Sequence, residues 1–340
     1  MDKVKKQITR GKILITGGAG YIGSVLTPYL LENGYAVTVL DRLFFGQKPI
    51  KEYLGNPNFK LIKVDIRHAG KEAFKGIETV IHLAGISNDP SCEISPRVTN
   101  SINYEGSVKI ARLARKMGVR KFIFSSSCSV YGCGASVSLT EESPLFPRSV
   151  YARTKIMAER ALLKLGDGNF TVTILRNSTI YGLSKKMRFD LAVNLMTLSV
   201  FKHKKIYILG GGLQWRPNLH IRDAVKAFLT VMNAPTKKIR GQIFNVGSNA
   251  QNYRILELAK IVKGVMPKAE IVNVPSDPDR RDYNVNFDKL ARVLGYAVEK
   301  NVTDGIIEVW GALRKRRITD NIKTRTLDCY KRHFNENRIF

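Results

Sequence analysis

A chain of 340 residues that is 44% apolar buries enough surface for one large α/β unit or two closely joined domains, and it is neither disordered nor fibrous. Its four cysteines, Cys92, Cys128, Cys133 and Cys329, show no C-x-x-C spacing and no neighbouring histidine pattern, so neither a metal site nor a disulfide framework is expected, and a reducing cytoplasm is the expected location. The formal charge of +28 either concentrates anions at the surface or reflects a generally solvated, lysine-rich exterior; the basic residues are spread out, apart from Arg314-Lys315-Arg316-Arg317, and specify no fold.

The N-terminal Met1-Asp2-Lys3-Val4-Lys5-Lys6 is charged and leads into a strand, so no secretory signal is expected. No stretch approaches the roughly 18 apolar residues of a membrane span. From Lys12 onward, short apolar runs alternate with longer helical ones, the pattern of β-α-β units. Strands are expected over 12–16, 36–40, 60–64 and 79–83, with a helix over 22–33 closed by Gly34. Further strands at 121–124 and 171–175 follow helices at 103–117 and 150–165. These strands are apolar on both faces, as strands between two helical layers must be. After Tyr181-Gly182 the pattern loosens into a helix over 191–201, a strand over 205–209 and the Gly210-Gly211-Gly212 turn, and 242–246 reads as a strand returning to the main sheet. The expected architecture is a Rossmann-type, doubly wound parallel sheet over residues 1–182, interleaved with a smaller C-terminal region over 183–340.

Between the first strand and first helix lies Gly17-Gly18-Ala19-Gly20-Tyr21-Ile22-Gly23. In that context Gly17 permits a tight turn, Gly20 lets the backbone approach a pyrophosphate, and Gly23 lets helix and strand pack closely. The helix N-terminus then offers unpaired N–H groups to the phosphate charge. Asp41 follows the second strand, where a carboxylate accepts hydrogen bonds from ribose hydroxyls and repels a 2′-phosphate. NAD is therefore the expected cofactor, although Arg42 next to it would welcome the 2′-phosphate of NADP.

Tyr151-Ala152-Arg153-Thr154-Lys155 places a phenol and an ammonium one helical turn apart. A fixed cation beside a phenol is expected to lower its pKa and make it a usable base. Upstream lies Ser125-Ser126-Ser127-Cys128-Ser129-Val130-Tyr131-Gly132. Taken together, these segments resemble the extended short-chain dehydrogenases, specifically the nucleotide-sugar epimerases and dehydratases with their T-G-G-x-G-[FY]-[IL]-G, S-S-[ST]-x-x-V-Y-G and Y-x-x-x-K motifs. The resemblance is to UDP-glucose 4-epimerase-like proteins. It implies a catalytic trio of Ser127, Tyr151 and Lys155.

The resemblance extends to Asp65-Ile66 near adenine and to His82-Leu83-Ala84-Gly85 beneath the pyrophosphate. Leu83, Ala84 and Gly85 are expected at the cofactor and His82 in packing. Asn103-Tyr104-Glu105-Gly106-Ser107 is similar to the family's N-x-x-G-[TS] helix start, which places Asn103 at the cofactor. The cofactor set is thus Gly17, Gly20, Tyr21, Ile22, Gly23, Asp41, Arg42, Asp65, Ile66, Leu83, Ala84, Gly85, Asn103, Tyr151 and Lys155. For the nucleotide sugar the resemblance points to Ser127, Thr179, Arg188, Asn194, Arg216, Asp279 and Arg281, with Arg216 in Gln214–Asp223 as the diphosphate clamp.

Two departures narrow the expectation. Dehydratases of the family carry Asp-Glu after the catalytic hydroxyl, where this chain has Cys128 and Ser129, so a 4,6-dehydratase is disfavoured. Thr179 stands where a substrate-contacting asparagine is usual, and Lys186-Met187-Arg188-Phe189-Asp190 resembles a subgroup acting on less common nucleotide sugars, including GDP-heptose oxidoreductases. The expected activity is an NAD-dependent nucleotide-sugar epimerase working at a sugar carbon, C4 by the resemblance. An NAD(P)H-dependent 4-reductase or oxidase is the alternative. A noncatalytic nucleic-acid binder on the same fold is the reading from a different class; the intact catalytic positions, and the lack of aromatics interleaved with the basic residues, argue against it. A homodimer is expected on the resemblance alone.

Overall fold

The computed structural model describes residues 10–133, 138–275, 279 and 281–339. In chain order its strands are β1 Lys12–Thr16, β2 Ala36–Asp41, β3 Phe59–Lys63, β4 Thr79–His82, β5 Lys121–Ser127, β6 Thr171–Asn177, β7 Thr179–Tyr181, β8 Lys205–Leu209, β9 Trp215–His220, β10 Ile243–Val246, β11 Asn252–Arg254 and β12 Glu270–Val274. Seven of them form one sheet in the order β10-β6-β5-β4-β1-β2-β3, and every pairing in it is parallel. This is the doubly wound Rossmann-type architecture. Parallel strands must be covered on both faces. Accordingly β4 and β6 are buried along their whole length, and Val80, Ile81, Phe122 and Phe124 are wholly inaccessible.

Strand order reverses between β1 and β4, and at such a switch point the loops leaving the carboxyl ends of the two strands diverge and open a crevice. The loop after β1 is the glycine segment, and the loop after β4 begins at Leu83. The smaller elements gather beyond the ends of β5 and β6. They comprise the three-stranded sheet β11-β9-β7 and the parallel pair β12-β8.

The helix expected over 103–117 starts earlier. Ser95 caps Pro96–Asn100, accepting from the Val98 N–H at 3.4 Å, and a π-helical turn over Ser101–Gly106 joins it to the helix Ser107–Lys116. Asn103 therefore sits inside a π turn, not at a helix start. Such turns carry poorer backbone geometry and recur beside functional sites. The C-terminal helix Thr326–Asn335 returns to the Rossmann half, where Tyr330 and Ile339 are buried in the same core as Leu14, Val80 and Phe122. Among the described residues, no helix is long and apolar enough to cross a membrane, and no group of three or more His, Cys, Asp or Glu could hold a metal ion.

Candidate functional site

A cleft of about 750 Å³ follows the crevice at the β1/β4 switch. Gly17 turns the chain there with φ +74°, and a Cβ on it would lie 2.8 Å from the Ala84 nitrogen, so only glycine fits. A Cβ on Gly23 would meet the Gly18 Cα at 2.5 Å. The helix Gly23–Glu32 that follows has no side-chain cap and no acidic residue in its first turn, which leaves its positive end available to an anion. Gly20, Tyr21 and Ile22 line the cleft beside it.

Asp41 ends β2 at the same cleft. Its carboxylate accepts from the Ala19 N–H at 3.0 Å and the Leu43 N–H at 2.7 Å, which fixes its orientation. Burial pushes its pKa up against those two donors and Lys186. Arg42 is exposed and donates to the Arg338 carbonyl at 3.2 Å. Asp65, gripped by the Arg67 guanidinium at 2.9 Å, lines the cleft with Ile66, Leu83, Ala84 and Gly85. A glycine turn, an uncapped helix end and a carboxylate on the adjoining strand are a donor set that fits a dinucleotide.

Ser127 closes β5, its hydroxyl accepting from the Ser129 N–H at 3.1 Å. Tyr151 lies in the first turn of the helix Val150–Leu163, whose N-cap Ser149 accepts from the Ala152 N–H at 3.2 Å. The Tyr151 phenol is hydrogen-bonded to Ser127. Lys155, one turn on, donates to the Ser125 carbonyl at 2.7 Å, with its ammonium 4.6 Å from the Phe124 ring centroid and 5.7 Å from that of Tyr151. All three side chains face the cleft.

The charge relation differs from the sequence expectation. Burial, reinforced by Cys92 and Asp89, raises the Tyr151 pKa, opposed by Arg188 and the Ser127 hydrogen bond. Burial also lowers Lys155 to about 8.

Pairs of opposite charge border the rest of the cleft. Arg216 is buried and pairs with Asp279 at 2.9 Å. Arg281 bonds Asp279 at 2.6 Å and Asp89 at 2.5 Å. Arg188 holds Asp190 at 2.5 Å and the Ser87 carbonyl at 3.0 Å. Thr179 lines the same space. Asp277, Pro278 and Arg280, which flank Asp279 in the sequence, lie outside the described residues.

Two expected site residues do not line the cleft. Asn103 is buried, accepting from the Ile86 N–H at 2.8 Å and donating to the Ile86 carbonyl at 3.0 Å, so it braces the loop after β4. Asn194 accepts from the Gly182 N–H and donates to the Tyr21 hydroxyl and the Arg188 carbonyl, each at 3.0 Å. It ties the Arg188 loop to the glycine loop. His82 is a packing residue as expected, wholly buried between Thr16 Oγ1 at 2.7 Å and Ser107 Oγ at 2.8 Å. The cleft also takes in residues to which the sequence motifs gave no site role: Asn88, Asp89, Asn177, Lys186 and Tyr330. Asn177, next to the arginine of Leu175-Arg176-Asn177, and the Asn88-Asp89-Pro90 turn were visible as polar loop positions, whereas nothing local marks Tyr330.

The family described as NAD dependent epimerase/dehydratase matches residues 13–247. The chain is 32% identical over 259 residues to the dTDP-D-glucose 4,6-dehydratase of Mus musculus, covering 73% of this chain and 71% of that one. It is 28% identical over 326 residues to the UDP-glucose 4-epimerase of Bacillus subtilis, covering 88% and 95%. Among solved structures it is similar to the UDP-glucuronic acid 4-epimerase of Bacillus cereus in complex with UDP-glucuronic acid and NAD, with a TM-score of 0.81 and 25% identity over 90% of this chain and 99% of that one. The glycine turn, the uncapped helix end, the Asp41 carboxylate and the matched span agree: this chain belongs to the NAD dependent epimerase/dehydratase family, and its cofactor is NAD.

Proposed function

We propose that the chain is a nucleotide-sugar epimerase that oxidises C4 of a nucleoside-diphosphate hexose and reduces it again from the opposite face. The observation that carries this reading is what surrounds the Ser127–Tyr151 pair. Position 128, where a dehydratase places an acid, is a wholly buried cysteine. Its thiol donates to the Arg176 carbonyl at 3.2 Å, and burial pushes its pKa up. The neighbouring Asp89 carboxylate is engaged by Arg281 and by the Ser149 hydroxyl. No side chain at positions 128 and 129 is equipped to expel water from C5–C6 of a sugar.

When bound, NAD would supply the hydride acceptor and donor and, in its oxidised form, a positive nicotinamide ring. Tyr151 takes the proton of the C4 hydroxyl as the C4 hydride departs, Ser127 hydrogen-bonds the same oxygen, and Lys155 holds positive charge behind the phenol. For the return step, Tyr151 gives the proton back to the C4 oxygen. Arg216 and Arg281 are suited to the diphosphate, since guanidinium forks match phosphate oxygens, and Thr179 and Arg188 to the sugar. In this division, residues 1–182 hold the cofactor and 183–340 mainly the substrate.

The test is a panel of UDP-, GDP- and dTDP-hexoses and UDP-glucuronic acid incubated with the enzyme in D2O. The expected outcome is conversion of one member to its 4-epimer with neither loss of water nor deuterium incorporation. A product lacking water and carrying solvent deuterium would make the chain a dehydratase and overturn the proposal.

A further inference from the structure

Lys186 is a buried lysine at the cofactor end of the cleft, with no ionic partner among the described residues. It is 6% exposed and lines the cleft, and its ammonium lies 3.7 Å from the Phe45 ring centroid. Among the described residues it forms no ion pair, and the anions near it are already engaged. Asp41 faces the Ala19 and Leu43 N–H groups. Asp190 is held by Arg188, Asn88 and Thr326. Cys329 directs its thiol at the Phe44 carbonyl at 3.8 Å, and burial raises its pKa, so it offers no charge.

A buried, unpaired ammonium is costly, and a cation–π contact recovers only part of that cost. Burial, with Arg188 adding repulsion, lowers Lys186 to about 7. The backbone that carries it is fastened to the phosphate loop. Ser184 Oγ donates to the Tyr21 carbonyl at 2.8 Å and lies 2.8 Å from Ser24 Oγ, and the Lys186 N–H reaches Ser24 Oγ at 3.4 Å. Phe45 beneath the ammonium is in turn set by Tyr330 of the C-terminal helix, the ring centroids 5.5 Å apart at 80°.

We propose that Lys186, brought in by the substrate-side loop, is the cation that takes the pyrophosphate of the bound dinucleotide. The glycine loop and helix end then hold the diphosphate from one side and Lys186 from the other. One lysine belonging to the substrate region thereby makes the cofactor a resident part of the site.

The test uses protein stripped of dinucleotide and calorimetric titration with NAD, ADP and adenosine. Replacing the cation, Lys186→Met, should weaken NAD and ADP by roughly 10–100-fold, the worth of a hydrogen bond to a charged group, while adenosine binds as in the wild type. Lys186→Arg should recover part of the loss. Lys186→Gln, which keeps polarity without charge, gives the same split should the methionine variant misfold. Equal ADP affinity in wild type and Lys186→Met, or a matching loss for adenosine, would overturn the assignment. Failure of the wild type to bind NAD or ADP at all would instead remove the cofactor site on which it rests.

Discussion

In the proposed reaction Tyr151 carries the chemistry, and its surroundings bear on what the cofactor must contribute. Burial holds the phenol above its ordinary pKa, and a positive ring beside the hydroxyl would favour the phenolate. Removing only the hydroxyl, Tyr151→Phe, should lower turnover by about 10²–10⁴-fold, the usual contribution of a positioned proton-transfer group, with NAD content after purification unchanged. Turnover within threefold of wild type would remove Tyr151 from the proposed role. That Ser127, Tyr151 and Lys155 meet at one cleft was legible from the sequence, because spacing on a helix and position at a strand end are local properties. Asn103 and Asn194 were not, because their motif positions match while their amides turn inward to loop backbone at Ile86 and Gly182. Lys186 was hidden for the converse reason. A lysine in a polar run reads as solvated until Phe45, Tyr330 and the glycine loop close around it.

At the scale of elements, β4 is coupled to β1 and to the helix Ser107–Lys116 through one ring. His82 bonds Thr16 and Ser107 and stacks between Phe122 and Phe124 at centroid distances of 5.7 and 5.8 Å. Burial drops its pKa to about 3 from the ordinary 6.5. The folded protein therefore binds fewer protons at this site than the unfolded chain below pH 6.5. Stability falls as pH drops through that range toward 3, by up to about 1.4 kcal/mol per pH unit. His82→Asn should show a shallower decline of the urea midpoint between pH 6.5 and 5 than the wild type, whatever its stability at pH 7. An identical slope would mean that the ring does not carry this linkage.

The strands of the main sheet were readable as short doubly apolar runs because burial between two layers writes itself into composition. The strands β7 and β11, of three residues each, and β9, of six, left no such mark, since short mixed-polarity runs in an irregular stretch become strands by pairing with one another. The helix preceding Ser107 was masked by Pro96, which begins a helix as readily as it breaks one.

At the scale of the whole molecule, the chain closes on itself around the cofactor end. The C-terminal helix lays Tyr330 against Phe44 and Phe45, and the Arg338 and Ile339 carbonyls accept from Arg42 and Arg67. No periodicity in the sequence reveals a contact between positions nearly three hundred residues apart. With a charge of +28, any long-range attraction for anionic ligands would weaken as salt rises. In the proposed reaction hydride leaves and re-enters the same sugar carbon on a cofactor that stays in place. This is tested most directly by giving the enzyme its panel substrate deuterated at C4, without added NAD, and following the label in the epimer by mass spectrometry and NMR. Full retention of deuterium at C4 is the predicted result. Loss of the label from C4, or accumulation of a keto-sugar in step with one reduced cofactor per chain, would contradict the account.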